Sequence, residues 1–164
     1  MLGILFVVCS AATTGFQLAA SLRRDCLVLR QLRDSLQLMR NEISACGTML
    51  PQVFALMAVG VNGDLEDIFS KVAKNMEQNP WVTPAEALAC AIGDEQLPAI
   101  KEILLPLGKK LGKYDADVQL RGIDSALQQT ENIIFNCEQE KKMKSGTYRT
   151  LGICTGLAVA ILLV

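Results

Sequence analysis

Every charged residue of this 164-residue chain lies between Arg23 and Arg149. The stretches outside those two residues are rich in Leu, Val, Ile and Ala and carry no Lys, Arg, Asp or Glu. Such stretches insert readily into a membrane, whereas one charged residue at the centre of a spanning helix costs about 2.5–3.5 kcal/mol on insertion scales. The distribution predicts transmembrane helices at residues 1–22 and 147–164, with a domain at residues 23–146 between them.

The first predicted span contains a continuous run of apolar and small residues from Leu2 to Ala20. Its length is close to the ~20 residues that a spanning helix needs. The competing interpretation is a cleaved signal peptide, which carries its positive charge before the apolar run. Here Arg23 and Arg24 follow the run, and this order favours a retained anchor.

The second predicted span is short if it is counted from Leu151, but it has about 18 residues, or ~27 Å of helix, if it is counted from Thr147. Arg149 can extend to the headgroups, and Tyr148 suits the aromatic belt at the membrane interface. The alternative is a C-terminal helix buried in a soluble core. The interfacial residues favour the span.

Basic residues flank both predicted spans on the side of the central domain. Because positively charged loops stay in the cytoplasm, the pattern predicts a protein of the cell membrane whose bulk is cytoplasmic and whose termini both lie outside. The same side chains can contact anionic lipid headgroups, although their role in topology is enough to explain them. The residues are Arg23, Arg24, Lys141, Lys142, Lys144 and Arg149.

Small residues recur every four positions in both predicted spans. Ala11, Gly15 and Ala19 lie in the first, and Gly152 and Gly156 form a GxxxG motif in the second. This spacing lets helix backbones approach closely in lipid. We therefore expect these positions to pack against the chain's other span or against a neighbouring membrane protein.

Apolar residues of the central domain recur at steps of three and four, which predicts an all-α cytoplasmic bundle of about five or six helices. Two long apolar seams begin and end the domain, and they are expected to pair antiparallel because both helices leave the membrane side by side. The first seam comprises Leu22, Cys26, Leu29, Leu32, Leu36, Met39, Ile43 and Cys46, and the last comprises Leu120, Ile123, Leu127, Thr130, Ile134 and Cys137.

Turn and cap residues divide the sequence between these seams. The first seam should end near Gly47, and a short helix should run from Pro51 to about Val59. A turn at residues 60–63 precedes a helix that Asp64 is expected to cap.

Three further signals follow this helix. Residues 79–80, Asn-Pro, should break it, and residues 83–86 read as a capping box for the next one. Pro106 is expected to kink or shorten a fifth helix. Trp81, between two of these helices, is interpreted as a core residue rather than as a platform for a ligand.

The six cysteines form no CxxC pair, and the chain contains no His. Disulfide or zinc frameworks show clustered Cys spacing, and zinc sites often include His. The pattern therefore favours reduced, buried thiols. The cysteines are Cys9, Cys26, Cys46, Cys90, Cys137 and Cys154.

No pattern in the sequence indicates catalysis. Without His, a Ser-His or Cys-His nucleophile pair cannot form. The Gly108–Lys113 segment fails as a phosphate loop because Tyr114 stands where Ser or Thr is needed. Sixteen basic and 17 acidic residues argue against nucleic acid as a partner. We expect no enzyme activity, cofactor, metal or small-molecule substrate, and we interpret the acidic side chains as solvated, including Glu42, Glu77, Asp124 and Glu131.

A series of short motifs extends from the first predicted span to the second. They are Thr14-Gly15-Phe16, Leu29-Arg30-Gln31-Leu32, Asn41-Glu42-Ile43, Leu111-Gly112 with Asp115 and Gln119, and Lys-x-x-x-Tyr-Arg-x-Leu-Gly at residues 144–152. Each motif is weak alone, but in this order they resemble the stage III sporulation protein AB family. The resemblance covers essentially the whole chain.

This resemblance implies a spore-forming bacterium and a secretion-like channel complex between mother cell and forespore. It implies a non-enzymatic scaffold in the mother-cell membrane, similar to the platform proteins of type II secretion. Its expected partners are the secretion-type ATPase of the same operon, other membrane and ring components, and membrane lipid. The alternatives are a general type II secretion or type IV pilus platform and a small oligomeric membrane pore.

Overall fold

The computed structural model describes residues 24–93, 98–112 and 115–163, with side chains up to residue 140. Within those ranges the chain is helical and contains no strand, which confirms the predicted all-α class. Six helices follow one another. They are α1 (residues 24–41), continued by a π-helical turn over Glu42–Cys46, then α2 (Leu50–Val59), α3 (Asp64–Gln78), α4 (Pro84–Ala91), α5 (Pro98–Lys110) and α6 (Ala116–Leu163).

Both predicted spans lie wholly or partly outside this description. Residues 1–22 are outside it, and residues 147–163 are described only as helical backbone of α6. The described part of the chain contains no helix with the length and apolarity that a membrane crossing requires.

The chain divides into two compact units. One is Leu27–Asn132, which includes α2 to α5. The other combines the described residues up to Cys26 with those from Ile133 onward.

The core of the Leu27–Asn132 unit is built from the predicted apolar faces. In α1, Leu29, Leu32, Leu36 and Met39 are buried, as the seam predicts. The seam stops there, because the following turn is π-helical and the residue spacing changes. Ile43 and Cys46, which were predicted to continue the seam, are half-buried and exposed.

Helix α3 packs against α2 and α4, and α4 packs against α5. Phe54 of α2 and Phe69 of α3 are fully buried, with ring centroids 6.2 Å apart. The predicted face of α5 is buried without exception. It comprises Ile100, Ile103, Leu104, Leu107 and the following Leu111.

Glycines end or begin helices where the backbone needs a positive φ. Gly47 has φ 60° and closes the π-helical turn, as predicted. Gly63 has φ 72° and is the residue that caps α3, so the prediction that Asp64 caps this helix is wrong. Asp64 instead lies in the first turn with Glu66 and Asp67, where acidic residues complement the helix dipole.

The predicted capping box of α4 is present, whereas Pro106 does not shorten α5. The capping box that begins α4 is confirmed, with Thr83 and Glu86 bonding each other's backbone amides. Pro106 was expected to kink or shorten α5, but the helix continues to Lys110. Proline removes one internal hydrogen bond, and the buried neighbours Leu104 and Leu107 hold this part of the helix in the core.

Helix α6 contacts α1 at two points. Arg40 donates through Nε to the Asp124 carboxylate at 2.6 Å. Cys26 and Cys137 form a disulfide whose Cα atoms are 6.3 Å apart.

The prediction of reduced, buried cysteines is wrong at four positions. Cys26 is buried but bonded to Cys137, a residue 111 positions away that is only partly buried. Cys46 and Cys90 are free but exposed. Cysteine spacing can indicate only pairs that lie close together in sequence. Cys26 and Cys137 instead lie in the first and the last helix, 111 positions apart. Cys9 lies outside the described residues, as does the side chain of Cys154.

Candidate functional site

The outer face of α3 carries five exposed charged side chains. This helix buries Leu65, Ile68, Phe69, Val72 and Ala73 on one side. The opposite side presents charges of both signs to solvent at steps of three and four. The exposed charged residues are Glu66, Asp67, Lys71, Lys74 and Glu77, and we call them the α3 charged face.

The outer surface of α2 has the opposite character. No residue from Ile43 to Gly63 is charged. Met49, which precedes the helix, and Leu56 and Val59 within it are exposed. An uncharged helix that keeps apolar side chains in solvent differs from its neighbour α3 in the contacts that it can offer.

Trp81 lies in the connection between α3 and α4 and is 95% exposed. The interpretation of this residue as part of the core is therefore wrong. The core beneath the connection is completed by Pro84, Ala87 and Leu88 of α4, and no space in it is taken by the indole ring.

The backbone on both sides of Trp81 is fixed by hydrogen bonds. The Val82 amide donates to the Asn79 carbonyl at 3.0 Å, which closes a turn over residues 79–82. The Asn79 amide donates to the Asn75 carbonyl at the end of α3, also at 3.0 Å. On the other side, the Thr83 amide and hydroxyl both donate to the Glu86 carboxylate at 2.9 Å. We call residues 79–83 the Trp81 turn.

Two of the acidic side chains that were interpreted as solvated have structural roles. The Glu42 carboxylate accepts a hydrogen bond from the Thr48 hydroxyl at 2.8 Å and so links the π-helical turn to the loop after it. Asp124 pairs with Arg40 between α6 and α1. Glu77 and Glu131 are exposed. No cluster of Cys, Asp and Glu among the described residues could hold a metal ion.

The residues predicted to act in the membrane lie almost entirely outside the described side chains. Only Arg24 is described, and it is an exposed residue at the start of α1. The structure therefore brings none of the others together in a site. Those others are Ala11, Gly15, Ala19 and Arg23, which precede the described residues, and Lys141, Lys142, Lys144, Arg149, Gly152 and Gly156, of which α6 supplies backbone alone.

Sequence reasoning missed three features of the folded chain. They are the Cys26–Cys137 bond, the exposed side of α2 and the exposure of Trp81. The sequence did carry a signal for the uncharged surface of α2, because no residue from 43 to 63 is charged. The other two depend on which elements pack together.

Comparison with known proteins gives one consistent family. The family described as stage III sporulation protein AB matches residues 1–164. A Bacillus subtilis (strain 168) protein of that name is 24% identical over 169 residues, which cover 99% of this chain and 98% of that protein.

A solved structure titled stage III sporulation protein AB has the same fold, with a TM-score of 0.61 and 23% identity. The likeness covers 69% of this chain and 92% of the solved one. The resemblance that the short motifs indicated is thus confirmed by a match over the full length. The chain belongs to the stage III sporulation protein AB family.

Proposed function

We propose that this sporulation protein is a non-enzymatic, membrane-anchored platform that links a cytoplasmic secretion-type ATPase to the membrane components of a channel between mother cell and forespore. The family supports a role in sporulation. The charge-free termini support anchoring in the membrane, with the helical bundle on the cytoplasmic side.

One observation carries the docking role, and it is the α3 charged face. Its charges project from a helix whose other side is fully buried, so their backbone positions are fixed before any partner arrives. Charges at a protein interface supply specificity and speed association more than they add affinity. A surface of this kind suits a partner that must be recognised among many cytoplasmic proteins.

The docking role is tested by reversing charges at the middle of this face. Lys71→Glu combined with Lys74→Glu changes two exposed positions that are away from the helix ends and their dipole. We expect the variant to fold normally and to recover less of the ATPase of the same operon on copurification from sporulating cells. Heat-resistant spore counts should fall in parallel.

The matched control is Lys109→Glu combined with Arg121→Glu. It introduces the same change in charge at exposed positions of α5 and α6. Recovery of the ATPase should be unchanged in the control. Equal recovery with both double variants would exclude the α3 charged face as the docking surface.

The anchoring role needs a separate measurement. After gentle lysis the chain should sediment with membranes, and tags at its two ends should be accessible only from outside the cytoplasm. A chain found entirely in the soluble fraction, or tags accessible only from the cytosol, would contradict the proposed topology. In the bilayer, Leu substitutions at Gly15 or Gly152 should weaken contacts with neighbouring helices.

A further inference from the structure

Trp81 is the only tryptophan in the chain and has the most exposed large apolar side chain among those that the structure describes. A single exposed apolar residue is common on protein surfaces and needs no special explanation. Two further properties separate Trp81 from such a residue. They are the fixed backbone on which it stands and the charge of the segment around it.

The fixed backbone lowers the entropic cost of using Trp81 in an interface. The turn is closed by the Val82–Asn79 hydrogen bond and is joined to a helix on each side. A second bond, from the Asn79 side-chain amide to the Asn75 side-chain oxygen at 3.3 Å, reinforces the end of α3. A partner that covers the indole therefore has to order only the side chain and not a loop. Rigid Trp residues are over-represented among those that contribute most to protein interfaces.

The charged residues of the segment that contains Trp81 have one sign. No Lys or Arg occurs between Lys74 and Lys101, whereas the same segment contains four acidic residues. Of these, Glu77 and Glu86 are exposed and flank the Trp81 turn along the chain. Phosphate groups of nucleic acid or anionic lipid would be repelled by these carboxylates, whereas a cation would be attracted.

The end of α5 also comes close to this region, because a Cβ at Gly112 would lie 3.2 Å from Pro84 Cγ. Of the two lysines that end α5, Lys110 packs its methylene groups along Gly122 of α6. Its side chain is thus directed to α6.

We propose that the Trp81 turn is a docking site for a protein segment that carries Arg or Lys. The cation of that segment stacks on the indole ring, and the carboxylates of Glu77 and Glu86 attract it. Tryptophan is the best aromatic partner for such a cation. This inference goes beyond the proposed function, because it identifies a second surface, which shares Glu77 with the α3 charged face, by the chemistry of what it binds.

The test uses the fluorescence of the chain, since its emission comes from a single tryptophan at the site itself. The full-length protein in uncharged phosphatidylcholine nanodiscs is titrated with a peptide of alternating Arg and Gly. Matched titrations use a peptide of alternating Glu and Gly and vesicles that contain anionic phosphatidylglycerol. Protection of Trp81 from acrylamide quenching and the shift of its emission report binding at the turn.

We expect protection by the Arg peptide alone, and we expect it to weaken as salt is added. The affinity of a labelled Arg peptide should fall about two- to five-fold in Trp81→Ala, the size of a cation–π contact at an exposed site. Trp81→Phe should lose less, and Glu77→Lys should also weaken binding. The control is Val59→Ala, which truncates another residue that is 87% exposed, and it should bind the peptide normally.

The proposal is overturned if Trp81→Ala binds the Arg peptide as tightly as the unchanged chain does. It is also overturned if the Glu peptide or the anionic vesicles protect Trp81 instead. Recovery of the ATPase by the Lys71→Glu and Lys74→Glu variant is a separate readout. Either proposal can therefore fail while the other stands.

Discussion

Gly108 of α5 lies where α4 approaches most closely, and a single methyl group at this position should disturb the packing of the two helices. A Cβ there would be 2.8 Å from Leu88 Cδ1 and 3.0 Å from Ala85 Cα. Leu88 is fully buried, and the Ala85 atom is backbone, so neither can move without shifting other parts of the core. We therefore expect Gly108→Ala to destabilise the fold.

The size of the effect follows from two opposing terms. Alanine in place of glycine within a helix gains roughly 0.8–1.0 kcal/mol in intrinsic propensity. Overpacking a tight core site costs roughly 1–3 kcal/mol. The free energy of unfolding should thus fall by about 1 kcal/mol, which lowers Tm by roughly 2–4 °C for a chain of this length.

Gly122 of α6 provides the matched control, because it is also a helical glycine with close neighbours. A Cβ at Gly122 would lie 3.1 Å from Lys110 Cδ and 3.2 Å from Lys110 Cβ. Lys110 is exposed, so its side chain can turn toward solvent. We expect Gly122→Ala to keep much of the propensity gain and to be more stable than Gly108→Ala by about 2 kcal/mol.

The assay is denaturation of the full-length chain in detergent, followed by far-ultraviolet circular dichroism. Tryptophan emission is a poor reporter of unfolding here, since Trp81 is exposed in the folded chain. The reasoning is refuted if Gly108→Ala is as stable as the unchanged chain, or if Gly122→Ala loses as much stability as Gly108→Ala.

Three further predictions use the same denaturation assay. Phe69→Ala should lower the free energy of unfolding by about 3–5 kcal/mol, because Phe69 is fully buried against Phe54. A decrease of less than about 1 kcal/mol would contradict this packing. Thr83→Ala should lower the free energy of unfolding by about 1 kcal/mol by removing the capping box of α4, whereas Ser125→Ala, which removes an exposed hydroxyl within α6, serves as its control. Cys26→Ser should lower stability by up to about 5 kcal/mol under oxidising conditions, the loop-closure value for residues 111 positions apart. In reductant the loss should be smaller, because only the exchange of a buried thiol for a hydroxyl remains. Equal stability of the two chains in oxidant would show that the bond does not form.

Much of the fold could be predicted because its signals are local. The end of the π-helical turn at Gly47, the break at residues 79–80 and the capping box at Thr83 each depend on a few adjacent residues. The buried face of α5 follows from helical periodicity in the same way. Such features are set by the backbone preferences of single residues and by spacing along one helix.

The remaining features depend on contacts between elements far apart in sequence. Trp81 belongs to a connection with no periodic face, so its burial is decided by whether a neighbouring element covers it. The Cys26–Cys137 bond requires α1 and α6 to pair in one particular register across 111 residues. The observed cap of α3, Gly63, lies one residue before the predicted cap, Asp64. Both residue types are acceptable caps, and the backbone at this position has a positive φ, which favours glycine.

The different states of the described cysteines create a conflict for anyone who purifies the protein. The exposed thiols of Cys46 and Cys90 can join two molecules by air oxidation and give covalent dimers on a gel. A reductant added to prevent such dimers would also attack the bond between Cys26 and Cys137. Replacing Cys46 and Cys90 by Ser, together with Cys9 and Cys154, removes the artefact while leaving that bond intact. Cys46 and Cys90, restored one at a time, then accept a single label for distance measurements on a sample that needs no reductant.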